Sequence, residues 1–300
     1  MRIAFVIGAV VVAILGAGRA FAQQETLLAL HARFADLPGF VDVYYHPEEP
    51  VPFRPLFLNR VPRQAFARGT SAPVAFDVLP GEIVDYGPGP LPDLNDTFCA
   101  GIRPGALLII GNAICTAGFI FSDGTNDYVS TAGHCLTAGQ SASVPNVGVI
   151  GTAVFSTGAG GVGNDFALIQ VVPAVASQVS AEVCNWAGPT QAFSGSSIQG
   201  RRLYQTGQGL GVTNVPRPKV GVGLAVGATS FQYIGNSVPG DSGSPVRLDA
   251  GDGLGLLTAG LAIPPVPLPI NFGTTVSRGI ALSGIPNLSL KTVSWIHGVE

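Results

Sequence analysis

The stretch NSVPGDSGSPV, residues 236–246, places an aspartate and a serine inside a turn that is rich in glycine and proline. Glycine and proline at this density exclude a helix and disfavour a central strand. Asp241 and Ser242 lie side by side between two glycines. The stretch is therefore either an ordinary polar turn or a loop that presents one hydroxyl to a substrate, and the rest of the chain decides between these interpretations.

The composition indicates a folded protein with a large core. The chain has 300 residues, of which 47% are hydrophobic and 11% are charged, and this balance argues against disorder. The formal net charge of −3 gives no reason to expect nucleic-acid binding. The 41 glycines and 24 prolines favour many short strands joined by tight turns over long helices.

The first residues predict a secretory signal peptide over residues 1–22. Met1 and Arg2 form a short basic start, an apolar run follows, and RAFA places Ala20 and Ala22 at the small-residue positions of a cleavage site. An uncleaved membrane anchor is the alternative, although the apolar run is short for a span. We therefore expect a secreted protein, extracellular or periplasmic, without membrane association once the signal is removed.

Four cysteines follow the signal, and an even number in an oxidising compartment predicts two disulfides. The four are Cys99, Cys115, Cys135 and Cys184. Four cysteines allow three pairings, and the sequence alone does not choose among them. A metal site is disfavoured because no CxxC pair occurs, so we expect neither a metal nor another cofactor.

The chain changes character near Cys99. Residues 23–98 contain QQETLLALHARFADL, whose apolar spacing predicts a short helix, followed by proline-rich stretches. This segment is predicted to be a propeptide or a loosely packed N-terminal extension. Residues 99–300 instead contain many short runs of Val, Ile, Leu and aromatic residues, which predict an all-β domain. Because about 200 residues are many for one sandwich, two packed barrels are predicted, over about 99–185 and about 186–290.

Three short signatures occur in the order histidine, aspartate, serine. They are STAGHC at Ser130–Cys135, GNDFALIQ at Gly163–Gln170, and GDSGSPV in the opening stretch. Together they resemble the chymotrypsin-like serine proteases, particularly the short secreted bacterial members. The resemblance covers Cys99 to the C-terminus and implies two packed six-stranded antiparallel β-barrels.

The chemistry of acyl transfer explains these residue types. A serine hydroxyl is a weak nucleophile at neutral pH, so Ser242 needs a neighbouring base, and histidine has a suitable pKa. His134 follows the apolar run YVSTAG, which can fix its position. Asp165 directly precedes the apolar run FALIQVV and is the candidate carboxylate that orients the imidazole. The predicted catalytic residues are therefore His134, Asp165 and Ser242.

The resemblance also assigns roles around the serine. It implies that the backbone N–H groups of Gly240 and Ser242 form the oxyanion hole. Asp241 is then a structural residue that needs a cationic partner, because an unpaired buried carboxylate is costly. In GRRLYQTG, Arg201 and Arg202 are the candidates for this partner. The alternative is that both are surface arginines.

The same resemblance selects a disulfide pairing. It implies that Cys115 and Cys135 are bridged next to the histidine, which leaves Cys99 to pair with Cys184. The second bridge would connect the start of the domain to the link between the barrels. Each bridge would add roughly 2–4 kcal/mol of stability.

The resemblance also implies which residues determine substrate specificity, and these lie in two further stretches. The implied substrate-binding residues, at the base of the primary pocket and on the strand that binds the substrate backbone, are Asn236, Ser237, Thr258, Ala259 and Gly260. Asn236 and Ser237 are not acidic, so a preference for Arg or Lys lacks its counter-charge, and we expect an uncharged P1 side chain. No histidine of the kind found in glutamate-specific relatives occurs here. Val238 and Thr258 depart from the family's usual cysteine and serine.

These observations predict a secreted serine endopeptidase, a monomeric hydrolase that cleaves polypeptides through an acyl-enzyme intermediate. A catalytically silent protease-fold binding protein and an esterase-like acyl hydrolase are the alternatives, since a fold does not fix the substrate. An α/β-hydrolase is disfavoured because the serine motif is not GxSxG and the histidine precedes the serine.

Overall fold

The computed structural model describes most of the chain. The described residues are 25–46, 48–68, 74–86, 89–90, 101–184, 186, 188–209, 217–263 and 266–294, with side chains left out at 89–90, 217 and 262–269. The predicted signal peptide, residues 1–22, lies outside this part of the chain. Across the described residues, no helix combines the length and the apolar character needed to cross a membrane.

The chain divides into two compact units. The first consists of Met1–Pro80 with the short pieces Ser194–Ile198 and Ala225–Ala228, and the second contains the remaining residues from Gly81 onward. This division differs from the predicted boundary at residues 98/99. Residues 82–85 and 89–90 belong to the second unit because they pair with its strands, a long-range contact that local composition does not reveal.

The first unit is a small α/β body rather than a loosely packed extension. Its elements are a helix α1 over residues 25–34, β1 (Phe40–Tyr45), β2 (Phe53–Leu58), α2 (Arg63–Ala67) and β3 (Asp77–Leu79). The strands form one sheet in the order β1-β2-β3, antiparallel and then parallel. Phe34 and Phe57 are buried in its core and pack edge to face, which is how aromatic pairs gain contact beyond simple burial.

The second unit begins with a closed antiparallel barrel. Apart from β4 (Glu82–Asp85), which belongs to the other sheet of this unit, its strands are β5 (Gly89–Pro90), β6 (Leu107–Ile110), β7 (Ala113–Thr116), β8 (Ile120–Ser122), β9 (Asp127–Thr131), β10 (Ser141–Val144), β11 (Gly148–Ser156) and β12 (Ala167–Val171). The sheet runs β8-β9-β12-β11-β10-β6-β7. β7 and β8 are successive parts of one segment of the chain. The two edges of the sheet therefore meet in that segment, which closes the barrel with six sides. Alternating strand residues fill its interior, including Leu108, Ile150 and Ile169.

A second barrel follows in the chain. Its elements are β13 (Gln191–Ala192), β14 (Arg202–Gly207), β15 (Arg217–Val226), β16 (Ser230–Ile234), β17 (Pro245–Leu248), β18 (Asp252–Ile263), β19 (Val266–Thr275) and α3 (Val276–Ser283). β20 (Ser289–Leu290) follows α3 and pairs with β8 of the first barrel. Strands β18-β17-β14-β15-β16-β19 form a ring that the β18–β19 pairing closes. β4 pairs antiparallel with β18 outside this ring.

The predicted fold class is confirmed: the fold is all-β, with two six-stranded antiparallel barrels of the chymotrypsin-like kind. A buried cluster joins Phe119 and Phe166 of the first barrel to Leu256 of the second and Val276 of α3. This shared apolar layer fixes the loops between the barrels, and the candidate active site lies on those loops.

Candidate active site

His134 lies in a single 3-10 turn, Gly133–Cys135, directly after β9. Its backbone N–H donates to Asp165 Oδ1 at 3.0 Å, and its Nδ1 lies 2.6 Å from Asp165 Oδ2. Both carboxylate oxygens of Asp165 thus contact one residue, which fixes the position and the ring orientation of His134 together. The neighbouring Cys135 is bridged to Cys115, so the disulfide next to the histidine is present.

Asp165 is fully buried in the loop before β12. Its backbone carbonyl accepts a hydrogen bond from Thr274 Oγ1 of the second barrel at 3.0 Å. Asp165 is thus held from both barrels, by His134 through its carboxylate and by Thr274 through its backbone carbonyl. A buried carboxylate in this position favours the tautomer that carries its proton on Nδ1, and leaves Nε2 able to accept one.

Ser242 lies on the other side of the imidazole. Its Oγ is 2.8 Å from His134 Nε2, and the residue is fully buried in the loop between β16 and β17. Two backbone hydrogen bonds hold this loop: the Ser242 carbonyl accepts from the Thr116 N–H at 2.9 Å, and the Gly243 N–H donates to Leu257 O at 2.8 Å. The structure therefore brings His134, Asp165 and Ser242 into one hydrogen-bonded chain.

Two opposing influences act on the imidazole. Burial lowers the pKa of His134, but the hydrogen bond and the negative charge of Asp165, with a further contribution from the charge of Asp85, outweigh it and raise the pKa above its ordinary value. A more basic imidazole is a stronger proton acceptor, and it is neutral only at pH values above this raised pKa.

The turn around Ser242 depends on glycine. Gly240 has φ +95° and Gly243 has φ +85°, in the left-handed region that residues with side chains rarely adopt. A Cβ built on Gly243 would lie 2.5 Å from Thr116 O. The Gly240 carbonyl accepts from Thr116 Oγ1 at 2.9 Å, which helps to fix the backbone. The assignment of the Gly240 and Ser242 N–H groups to an oxyanion hole stays a prediction.

Asp241 is fully buried and its cationic partner is Lys219, not Arg201 or Arg202. The Lys219 ammonium contacts Oδ2, which also accepts the Val238 N–H at 2.9 Å, while Oδ1 accepts the Gly209 N–H at 2.8 Å.

The prediction for both arginines was therefore wrong. Arg201 Nη2 lies 3.0 Å from the exposed Asp249, and Arg202 is exposed at the start of β14. Lys219 lies on β15 opposite Gln205, farther along the hairpin and closer to the Ser242 loop. The sequence offered one signal for Lys219, since the chain contains only two lysines, Lys219 and Lys291.

The residues predicted to bind substrate lie in one loop, after β16, and on one strand, β18. Asn236 is exposed, whereas Ser237 is half-buried and its Oγ donates to Gln205 Oε1 at 2.9 Å. Thr258 and Ala259 are buried in β18, and the neighbouring Gly260 pairs with Asn271 of β19.

Sequence reasoning missed Asn271. It is fully buried, and its Nδ2 donates to Gly235 O at 2.7 Å. The signal that could have found it is an amide inside the otherwise apolar run PINFG.

Asp85 is a further carboxylate beside the triad residues. One oxygen each of Asp85 and Asp165 and a ring nitrogen of His134 all lie within 4.8 Å of one another. Both ring nitrogens of His134 already have partners, Asp165 and Ser242, so we treat the group as a hydrogen-bonded dyad with a nearby charge rather than as a metal site. Burial first, and then the charge of Asp165, raises the pKa of Asp85.

The second predicted disulfide, between Cys99 and Cys184, cannot be assigned because Cys99 lies outside the described residues. Cys184 is buried near the end of the first barrel's part of the chain.

No protein-family model matches the chain, and no curated protein matches it. Solved structures do match. Thermobifida fusca protease A has a TM-score of 0.49 and 21% identity, covering 65% of this chain and 100% of that chain. Cellulomonas bogoriensis chymotrypsin has a TM-score of 0.46 and 23% identity, and the match covers 64% of this chain and 99% of that chain. Nocardiopsis protease has a TM-score of 0.45 and 21% identity, and the match covers 64% of this chain and 99% of that chain. At identities of 21–23% and TM-scores below 0.5, these matches are similarities only. The two closed six-stranded barrels that the sequence resemblance implied are shown by the strand pairings of the chain itself.

Proposed function

We propose that the chain is a serine endopeptidase that hydrolyses peptide bonds in polypeptides through an acyl-enzyme intermediate. The observation that carries the proposal is the hydrogen-bonded chain from Asp165 through His134 to Ser242, with atom pairs 2.6 and 2.8 Å apart. Nucleophile, base and orienting carboxylate within hydrogen-bond reach form the constellation that activates a serine hydroxyl.

Each residue has a defined step in the proposed reaction. Ser242 Oγ attacks the carbonyl carbon of the substrate while its proton moves to His134 Nε2. The imidazolium, stabilised by Asp165, then protonates the departing amine as the C–N bond breaks. A water molecule repeats the sequence on the acyl-enzyme and releases the acid. The N–H groups of Gly240 and Ser242 would stabilise the negative charge on the carbonyl oxygen in both halves.

The setting of the site supports this chemistry. Asp165 and Ser242 are fully buried, so their interactions are strengthened by a local dielectric lower than that of water. The bridge between Cys115 and Cys135 supports the proposal of an exported, extracellular or periplasmic enzyme, since such bridges persist in oxidising compartments. We further propose that the enzyme acts as a monomer and needs no cofactor.

Labelling with a fluorophosphonate tests the proposal directly. The secreted protein should be labelled on Ser242, and the label should be absent from Ser242→Ala and strongly slowed in His134→Ala. Ser141→Ala is the matched control, because this serine is exposed on β10 and should label like the unaltered chain. Folded protein with no Ser242-dependent label would contradict the proposal and favour a silent binding protein. Cleavage of esters but not of peptides would favour the acyl hydrolase instead.

A further inference from the structure

The chain places one of its own segments along the strand assigned to substrate binding. β4, at Glu82–Asp85, is antiparallel to β18, with Asp85 opposite Ala259 and Val84 opposite Gly260. The next N–H, from Tyr86, points to Thr258 O at 3.5 Å. Hydrogen-bonded pairs alternate in an antiparallel ladder, so the Tyr86–Thr258 bond makes Val84 and Gly260 the next bonded pair. A peptide substrate that adds a strand to β18 would use these same backbone groups.

Tyr86 fills a pocket lined by residues of the second barrel. Its hydroxyl donates to Asn271 Oδ1, and a Cβ built on Gly260 would lie 2.6 Å from Cζ of its ring. Gly260 is thus the residue that leaves space for an aromatic ring here. Burial, followed by the negative charge of Asp241, raises the pKa of Tyr86, whereas a hydrogen bond with Ser237 lowers it. The phenol therefore stays protonated and is a donor to Asn271.

Asn271 is built to receive a hydroxyl. The side chain is fully buried, and its Nδ2 is fixed by a 2.7 Å hydrogen bond to Gly235 O. This bond orients the amide so that Oδ1, an acceptor, faces the phenol. A buried acceptor left without a donor is costly, and a phenylalanine in the pocket would leave it so. The pocket therefore discriminates between tyrosine and phenylalanine.

The segment also passes the triad in the direction of a substrate. Asp85, which precedes Tyr86, has a carboxylate oxygen within 4.8 Å of a His134 ring nitrogen and a carboxylate oxygen of Asp165. The chain thus runs along β18, past His134, and inserts the next side chain into the pocket. The carbonyl that follows a pocket-bound side chain in this register is the one that a nucleophile beside His134 can reach.

We infer that Glu82–Tyr86 occupies the cleft as a resident substrate, that the Tyr86–Gly87 bond is the first bond that Ser242 hydrolyses, and that the pocket selects tyrosine at P1. This inference rests on the proposed function. Ser242 Oγ bonds to the Tyr86 carbonyl carbon, its proton passes through His134 to the Gly87 nitrogen, and the C–N bond breaks. Water then cleaves the ester, which leaves a Tyr86 carboxylate and restores the Ser242 hydroxyl.

The position of the bond determines what the cut would accomplish. No cysteine precedes Cys99, so no disulfide can hold residues before Gly87 to the remainder of the chain. Hydrolysis therefore separates the residues up to Tyr86 covalently from the rest of the chain and allows β4 to leave β18. In the uncut chain, β4 and Tyr86 exclude other peptides from the same strand and pocket. The segment is thus an inhibitor until it is cut.

The full chain tests the cut. After secretion, N-terminal sequencing and intact mass should show a product that begins GPGPLPDL at Gly87, and this product should be absent from Ser242→Ala. Tyr86→Asp should abolish cleavage at this bond, because a carboxylate cannot be accommodated beside the Asn271 acceptor. Val149→Asp is the matched control, since it introduces the same carboxylate at an exposed position of β11 outside the segment, and the cut should persist. A protein that labels on Ser242 but is never cut after Tyr86 would overturn the inference without harming the proposed function.

A peptide series tests the pocket independently of the cut. Peptides that differ only at P1 should be cleaved with kcat/KM roughly tenfold higher for tyrosine than for phenylalanine, the worth of one buried hydrogen bond. Asn271→Leu should remove most of that ratio while leaving cleavage after phenylalanine. Faster cleavage after lysine, glutamate or leucine than after tyrosine would overturn the assignment. Absence of both labelling and cleavage would instead defeat the proposed function itself.

Discussion

Two carboxylates are fully buried among the described residues of the second unit, Asp165 and Asp241, and they differ in the partner that each faces. Each accepts a backbone N–H and each contacts one basic side chain. Asp165 faces the imidazole of His134, whose second ring nitrogen can accept a proton, whereas Asp241 faces the ammonium of Lys219, which has donors only. Burial and hydrogen bonding therefore do not distinguish a carboxylate with a proposed role in chemistry from one that supports the backbone. The kind of partner does.

The largest expected effect comes from removing the charge of Asp165. In the proposed enzyme, Asp165→Asn should lower kcat by about 10⁴, because the amide no longer favours the tautomer in which Nε2 accepts the Ser242 proton. The measurement is kcat on a peptide with P1 tyrosine, using the processed protein. Asp249→Asn is the control, since the side chain of this aspartate is exposed and contacts only Arg201 and the neighbouring Ala250 N–H among the described hydrogen bonds, so kcat should stay unchanged. A decrease of less than tenfold in Asp165→Asn would contradict the role of Asp165.

The next effect is on stability and comes from the other carboxylate. Lys219→Met should lower the free energy of unfolding by about 3 kcal/mol, the lower end of the cost of leaving one charge of a buried pair without its partner. The lower end applies because the Lys219 side chain is 19% exposed and water reaches it. Urea unfolding of the Ser242→Ala background measures this without self-digestion. Activity should also fall, because Asp241 carries the Gly240–Ser242 turn.

Two variants separate this pair from an ordinary surface charge. Arg201→Met, at the position first assigned to Asp241, should change the free energy of unfolding by no more than about 0.5 kcal/mol. Adding Asp241→Asn to Lys219→Met should restore part of the lost stability, since it removes the unpaired charge. If Arg201→Met proved as destabilising as Lys219→Met, the pairing described for Asp241 would be wrong.

The disulfide between Cys115 and Cys135 lies beside His134. Replacing both Cys115 and Cys135 by alanine opens a loop with a sequence separation of 20 and should cost roughly 2–3 kcal/mol. The same urea unfolding in the Ser242→Ala background measures it. Since Asp165 holds His134 through its backbone N–H as well, the double variant should keep kcat within about tenfold when folded. A loss as large as that of Asp165→Asn would show that the bridge, rather than Asp165, positions the imidazole.

The sequence predicted the features that depend on local patterns and missed those that depend on contacts between distant strands. His134, Asp165 and Ser242 could be grouped from the sequence because each lies in a short signature with a fixed order, and the two barrels could be predicted because strand and turn residues alternate locally. Lys219, Asn271 and β4 were missed because their roles depend on contacts between strands far apart in the chain. No pattern within PRPK, PINFG or EIVDY indicates which distant residues these stretches contact. Arg201 and Arg202 were chosen by proximity in sequence, and the register of the β14–β15 hairpin favoured Lys219 instead.

The smallest expected effect concerns a third carboxylate, Asp85, which is exposed and lies next to the dyad. Its negative charge stabilises the imidazolium and contributes to the raised pKa of His134. Asp85→Asn should therefore lower that pKa, so that His134 loses its proton at a lower pH than in the parent chain. NMR titration of the imidazole in the uncut Ser242→Ala protein measures the midpoint, at pH values where Asp85 is ionised. Glu82→Gln should leave it unchanged, and a midpoint that rises or stays fixed in Asp85→Asn would place β4 away from the dyad.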